Sequence, residues 1–237
     1  LLKGWVAGRH AFAARPSSSH METTVTVTDA ESVGPDTVAV EFETPDGFEA
    51  MPGQFVRLDA TLDGENYRRF DTLSSPDIAE TFEVTVGIDE EEGGPFSAHL
   101  AALASGDRMG MAGPFGSNHY EGESRVIVLA GGPGVGPAVA VAERALADGG
   151  EAAVIYRDDR PAHGERLDRL RERGASVVVT DGAVGAAVAD AVSGAPDEQV
   201  LVFGFQPFVD EAVGTLEAAG ADPDPATSDS VDCPSRR

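Results

Sequence analysis

Two stretches of this sequence have the residue types and spacing to hold a phosphorylated ligand. Residues 125–137 read Arg-Val-Ile-Val-Leu-Ala-Gly-Gly-Pro-Gly-Val-Gly-Pro. An apolar strand ending at Ala130 and a helix starting near Pro137 place Gly131, Gly132, Gly134 and Gly136 where bare backbone can approach a pyrophosphate. The helix amides and dipole lie behind them. The dinucleotide fingerprint of three glycines spaced two and three apart is not matched. Upstream, Arg68-Arg69-Phe70-Asp71-Thr72-Leu73-Ser74-Ser75-Pro76 sets guanidinium groups, a carboxylate and hydroxyls along one short strand.

The elements that must position these residues fall into two rhythms. From Met21 to about Asn118 the chain alternates apolar and polar residues over Thr23 to Thr28, Thr37 to Glu43, Gln54 to Asp59, Arg69 to Leu73 and Phe82 to Gly87, the period of half-buried strands. Turns at Gly34-Pro35, Pro45-Asp46-Gly47, Pro52-Gly53 and Asp63-Gly64 separate them, and Ser97 to Ala104 reads as a helix. This predicts an N-terminal antiparallel β-barrel. After Ser124, apolar runs at Val126 to Ala130, Ala153 to Tyr156, Val177 to Thr180 and Val200 to Phe203 alternate with helical stretches at Pro137 to Ala147, Glu165 to Arg173, Val184 to Val192 and Phe208 to Ala219. That order predicts an α/β doubly wound parallel-sheet domain with ligands at the carboxyl ends of its strands. The expected division is a leader over residues 1–20, the barrel over 21–118, the α/β domain over 121–221 and a tail over 222–237, with a hinge near Gly116 to Ser124.

Composition narrows the function. The formal charge is -24, from 17 basic and 41 acidic residues, and such a surface repels a phosphate backbone, so a nucleic-acid partner is not expected. The acids are spread along the whole body, as in proteins adapted to molar salt, where charges are screened within about 3 Å. One cysteine, Cys233, excludes a disulfide or a four-cysteine cluster within the chain. His10, His20, His99, His119 and His163 lack metal-ligand spacing, so no metal site is expected. No apolar run approaches the roughly 20 residues that span a bilayer, and the expectation is a soluble, cytoplasmic protein. Lys3, Arg9 and Arg15 stand in a leader without acids, which reads as a translated leader or misplaced start.

The glycine turn resembles the Gly-Gly-Thr-Gly-x-x-Pro loop of the ferredoxin-NADP reductase superfamily, with Gly131, Gly132, Gly134 and Pro137 in the glycine and proline places and Pro133 where threonine stands. The same superfamily has an Arg-x-Tyr-Ser/Thr-x-x-Ser strand, and two registers fit it here. In the first, Arg69, Thr72 and Ser75 match and Asp71 takes the aromatic place; in the second, Arg68, Phe70 and Ser74 match and Asp71 displaces the hydroxyl. The first keeps three of four places and is preferred. Met51-Pro52-Gly53-Gln54-Phe55-Val56 resembles the strand that opens the flavin barrel, and Gly94-Pro95-Phe96-Ser97 resembles its Gly-x-x-Ser helix start. Met111-Ala112-Gly113-Pro114-Phe115-Gly116 resembles the turn that closes it. Phe203-Gly204-Phe205 stands where the superfamily usually has Cys-Gly-Pro, with Phe203 in the cysteine place and Phe205 in the proline place, and Ser228-Asp229-Ser230-Val231 lacks the terminal aromatic of many relatives.

The resemblance implies an acidic, haloarchaeal-type FAD enzyme that passes a hydride from NADH or NADPH to the flavin, and electrons on to a ferredoxin or other acceptor. It assigns Arg69 to the flavin phosphate and Thr72 to flavin N5 as the catalytic residue, with Phe70, Asp71, Leu73 and Ser75 beside the cofactor. Gly94, Pro95, Phe96 and Ser97 take the pyrophosphate. Gly131, Gly132, Gly134, Val135, Pro137 and Gly204 take the nicotinamide dinucleotide. Asp181, after the third strand of the wound domain, leans the choice toward NADH, against Arg157 and Arg160. The alternative is a flavin-holding or cofactor-free relative acting as a regulatory or assembly module. The oligomeric state is left open.

Overall fold

The computed structural model describes residues 20–88 and 94–221, together with the backbone of 228–230. The leader up to residue 19, the Asp222-to-Pro225 segment and Cys233 lie outside the described residues. The first half is a six-stranded sheet of β1 (Met21–Gly34), β2 (Thr37–Glu43), β3 (Phe55–Leu62), β4 (Glu65–Thr72), β5 (Thr81–Gly87) and β6 (Arg108–Phe115). Its spatial order is β4-β3-β6-β1-β2-β5, with every pair antiparallel. A bridge between Leu73 and Val84 joins the outer ends, so the sheet curls toward a barrel. The interior is filled by Val25, Val40, Phe42, Val56, Leu58, Leu73, Phe82 and Val84, all buried. Helix α1 (Gly94–Ala101) adds Phe96 and Leu100 to that core. Asp63 and Gly64, with φ of 51° and 83°, turn β3 into β4, because a two-residue hairpin requires positive φ at both positions.

The second half is a parallel sheet ordered β11-β10-β7-β8-β9, built from β7 (Arg125–Gly131), β8 (Glu151–Arg157), β9 (Ser176–Thr180), β10 (Glu198–Gly204) and β11 (Ser228–Ser230). Alternate residues of β7 and β8 feed two separate cores. Val126, Val128 and Val154 pack under α2 (Val135–Ala147) and α3 (Gly164–Glu172). Ile127, Leu129 and Ile155 pack under α4 (Gly185–Ala191) and α5 (Gln206–Ala218). This is the doubly wound arrangement expected of buried parallel strands.

Three elements differ from the sequence expectation. Of the segment expected only as a closing turn, Met111 to Gly116, all but Gly116 is the end of β6, a central strand. There Met109 and Met111 face the core while Gly110 lies against Asp59 of β3, so small outward residues hide the alternation. β1 runs past Thr28 to Gly34 with two register shifts. The tail carries β11, which pairs in parallel with β10.

The segment from Gly116 to Ser124 is pinned on both sides rather than loose. Gln54 Nε2 donates to the Gly116 carbonyl at 3.0 Å, the Tyr120 amide donates to Pro52 O at 3.0 Å, and Gln199 Nε2 donates to His119 O at 3.1 Å. Tyr120 itself is buried.

The two halves also meet directly. Pro133 lies 3.4 Å from where a Cβ on Gly87 of β5 would stand. A Cβ on Gly136 would collide with the Ser74 and Thr85 side chains. Ser74 Oγ donates to Thr85 Oγ1 at 2.8 Å, and Thr85 Oγ1 pairs with His163 Nε2 at 2.9 Å. Burial, with Arg166 nearby, lowers the His163 pKa to about 3, so its ring is neutral.

Candidate functional site

Strand β4 presents two chemically different faces, because successive side chains alternate. Tyr67, Arg69 and Asp71 turn toward α1. Arg69 Nη1 donates to Ser97 Oγ at 2.8 Å, and its Nε pairs with Asp71 Oδ1 at 2.8 Å. Asp71 is 4% exposed and its Oδ2 has no hydrogen-bond partner. Burial pushes the Asp71 carboxyl up, against the pull of Arg69. Tyr67 stacks on Phe96 with ring centroids 6.3 Å apart. Arg68, Phe70 and Thr72 turn the other way. Arg68 is mostly exposed and pairs with Asp59 at 3.2 Å. Phe70 meets the edges of Phe55 and Phe115 at 5.7 and 6.0 Å. Thr72 lies opposite Phe55 in the ladder.

Helix α1 brings its first turn to this strand. Gly94 opens it with φ of 60° and open space around its Cβ position, so a side chain there would be strained although nothing blocks it. Ser97 and Phe96 are buried and Pro95 is exposed. Past the strand, Leu73 is fully buried and its amide donates to Gln54 O at 2.9 Å. The Ser75 hydroxyl accepts the Glu83 amide at 2.6 Å. The structure therefore gathers Arg69, Asp71 and Ser97, leaves Phe70 and Thr72 on the opposite face, and employs Ser75 in holding the barrel seam.

The second cluster sits at the carboxyl ends of β7 and β10. These are neighbours on whose two sides the sheet winds in opposite directions, the usual place for a ligand crevice. Gly131 leaves room for the Phe208 ring, whose Cγ would be 2.5 Å from a Cβ there. Gly134 leaves room for the Phe203 carbonyl, and Gly136 for Ser74 and Thr85. Close packing within the protein thus accounts for three of the four glycines read from the sequence. Gly132, with φ of 56°, faces the Phe205 ring at 3.7 Å. Val135 is fully buried, and Pro137 sits in the first turn of α2. Gly204 ends β10 beside Gly131, and Phe205 after it is 54% exposed. Arg157 stands 4.8 Å over Phe208 and pairs with Glu211 at 2.6 Å; Arg160 pairs with Asp36. Asp181 is exposed and does not cap α4, whose N-cap is Val184.

Sequence reasoning gave no site role to three residues that the structure puts between the two clusters: Glu83, His163 and Arg166. Arg166 lies in Glu-Arg-Leu-Asp-Arg-Leu-Arg-Glu, which has the pattern of a solvated helix face, and its partner Glu83 lies 83 positions away. Among the described residues no cluster of His, Cys, Asp and Glu has metal-site geometry, and no helix is long and apolar enough to cross a membrane.

Comparison with known proteins matches this layout. Residues 24–120 fit the oxidoreductase FAD-binding domain family. The electron transfer component of toluate 1,2-dioxygenase from Pseudomonas putida is 35% identical over 103 residues, 43% of this chain and 30% of that one. The reductase component of propane 2-monooxygenase from Mycolicibacterium goodii is 28% identical over 217 residues, 80% of this chain and 61% of that one. The chain thus spans less than two thirds of either relative. The crystal structure of the Amycolatopsis cytochrome P450 reductase GcoB superposes with a TM-score of 0.73 at 22% identity, over 90% of this chain and 70% of that one. The fold is the two-domain fold of that reductase structure, and the residues that match the oxidoreductase FAD-binding domain family are those of the first half.

Proposed function

We propose that the chain is an FAD-dependent oxidoreductase taking a hydride from a nicotinamide dinucleotide, with residues 21–118 as its flavin half and 121–221 as its nicotinamide half. The observation that carries this is the Arg69 to Ser97 hydrogen bond, which couples a strand guanidinium to the amide end of α1. A guanidinium beside a helix N-terminus is a phosphate seat. The residues fit the cofactor in charge as well: Arg69 supplies positive charge beside Ser97, in the first turn of α1. When bound, FAD accepts the hydride and releases electrons singly, chemistry no side chain here supplies.

In this reading Arg69 and the first turn of α1 bind the pyrophosphate. Thr72, on the same strand face as Phe70, would hold flavin N5 through its hydroxyl, and Phe70 would offer an aromatic surface to the ring. Asp71, buried against Arg69, orients the guanidinium. Gly132 and Gly204 line the crevice for the nicotinamide dinucleotide, and Phe205 shields it from water. NADH is favoured over NADPH: Arg157 and Arg160 are already paired, and Asp181 leaves a free carboxylate beyond β9 that repels a phosphate. Electrons then pass to a ferredoxin or another acceptor. The acidic surface suits a cytoplasm of high salt.

One observation favours a second reading, a flavin-holding or cofactor-free binding module: Arg69 is satisfied by Asp71 and Ser97 within the protein, which a purely structural arginine would also be. An absorption spectrum of the purified protein, followed by anaerobic addition of NADH and NADPH, separates the two. A bound flavin bleached by NADH faster than by NADPH supports the enzyme. A flavin that neither nucleotide reduces, or protein that takes up no flavin, supports the module.

A further inference from the structure

Arg166 on α3 reaches across the boundary between the two halves. Its Nη1 donates to Glu83 Oε1 of β5 at 3.0 Å, and its Nη2 donates to the Ser74 carbonyl at 2.9 Å, just beyond β4. The same guanidinium is held from its own half, Nε donating to Glu143 Oε1 at 3.0 Å and Nη2 to Glu143 Oε2 at 2.7 Å. The side chain is 13% exposed, on the floor of an open cleft of about 610 Å³ that Ser74, Ser75, Glu83 and Glu143 also line. Four charge-assisted contacts to three residues on two domains fix a rigid planar group in place, which a flexible ammonium does not reproduce. Ser74 follows Thr72 by two residues, and Glu143 shares α2 with Val135 and Gly136, so both ends of the clamp attach beside the two clusters.

We propose that Arg166 is a positioning residue that fixes the angle between the barrel and the wound domain, and with it the approach of the β7–β10 crevice to Thr72. The inference rests on the proposed function for its catalytic consequence. Its mechanical part stands without it. A misplacement of about 1 Å between reacting groups can cost on the order of a hundredfold in rate, so loosening this clamp acts on the hydride step rather than on either binding step.

The test uses the full chain with Cys233→Ser, spin-labelled through Glu65→Cys on the barrel and Glu172→Cys on α3, both exposed. In Arg166→Met the interdomain distance distribution broadens. The stopped-flow rate of flavin reduction at saturating NADH falls about tenfold or more, while FAD retention and the NADH dissociation constant stay at their starting values. Arg166→Lys keeps the charge without the planar fork and does not restore either readout. An unchanged distance distribution, a broadened one with an unchanged rate, or full rescue by lysine overturns the proposal. Protein that neither nicotinamide reduces refutes the enzyme reading instead, and the distance distribution alone then decides whether Arg166 clamps the domains.

Discussion

The Arg69 guanidinium answers to Asp71 and Ser97 within the protein and, in the proposed function, to a flavin phosphate as well. A charge-assisted hydrogen bond contributes about 1.5 to 3 kcal/mol, so Arg69→Ala should weaken FAD binding about ten- to a hundredfold, read by fluorescence titration of the apoprotein. Asp71→Asn, which keeps the shape and lowers the charge beside Arg69, should leave that affinity within about threefold. A flavin affinity insensitive to Arg69→Ala would place the phosphate elsewhere. Glu83 makes a separate prediction about pH. Burial, opposed by Arg166 and reinforced by Glu143 and Glu41, raises its pKa from 4.5 to about 7. The folded chain therefore binds the proton more tightly than the unfolded one. The stability this gives is complete below pH 4.5 and is lost as pH rises through about 7. Glu83→Gln cannot ionise, so its melting temperature relative to the unmutated protein should climb between pH 5 and pH 8. A difference that is the same at both pH values would show that Glu83 does not titrate there.

At the scale of elements, the loop from β7 into α2 is shaped by its neighbours. A methyl group on Gly136 would intrude on the Ser74 and Thr85 hydroxyls, the only buried hydroxyl pair that the described hydrogen bonds join across β5 and the β4 end. Overpacking of this kind costs about 1 to 3 kcal/mol. Gly136→Ala should lower the midpoint of chemical unfolding accordingly, whereas Gly182→Ala, where a Cβ meets only Thr180 Oγ1 at 3.6 Å, should not. Equal effects of the two would mean the contact is not close. The elements that were legible in the sequence are those whose period survives tertiary packing. The buried runs of β7, β8 and β10 stay apolar because helices cover both faces, and β2 and β5 alternate because Val38, Val40, Phe42, Phe82, Val84 and Val86 fill the barrel core while smaller or polar residues stand between them. β6 was not legible as a strand, since Gly110 and Ala112 face β3 across the sheet where a polar side chain would mark the outside. The Arg69 to Ser97 pairing follows from two motifs in order. The clamp of Arg166, Glu83 and Ser74 could not be read, because each member sits in a local pattern that is ordinary for its element and only the reach of the Arg166 side chain from α3 joins them.

For the molecule as a whole, a charge of -24 on 237 residues sets a self-repulsion that salt must screen. The Debye length shrinks from about 10 Å at 0.1 M to about 3 Å at 1 M, so the melting temperature should rise from low to molar potassium chloride. A melting temperature that is flat or falls would remove the reading of adaptation to high salt. The pinned segment from Gly116 to Ser124, the Gly136 contact and the Arg166 clamp hold the barrel and the wound domain together, and the function proposed for the chain depends on that union. Its most direct test is the visible spectrum of the protein purified in high salt, recorded before and after anaerobic NADH. The account predicts flavin absorption that bleaches on NADH addition and returns with air. Colourless protein that takes up neither FAD nor FMN, or a bound flavin that NADH leaves oxidised, would contradict it.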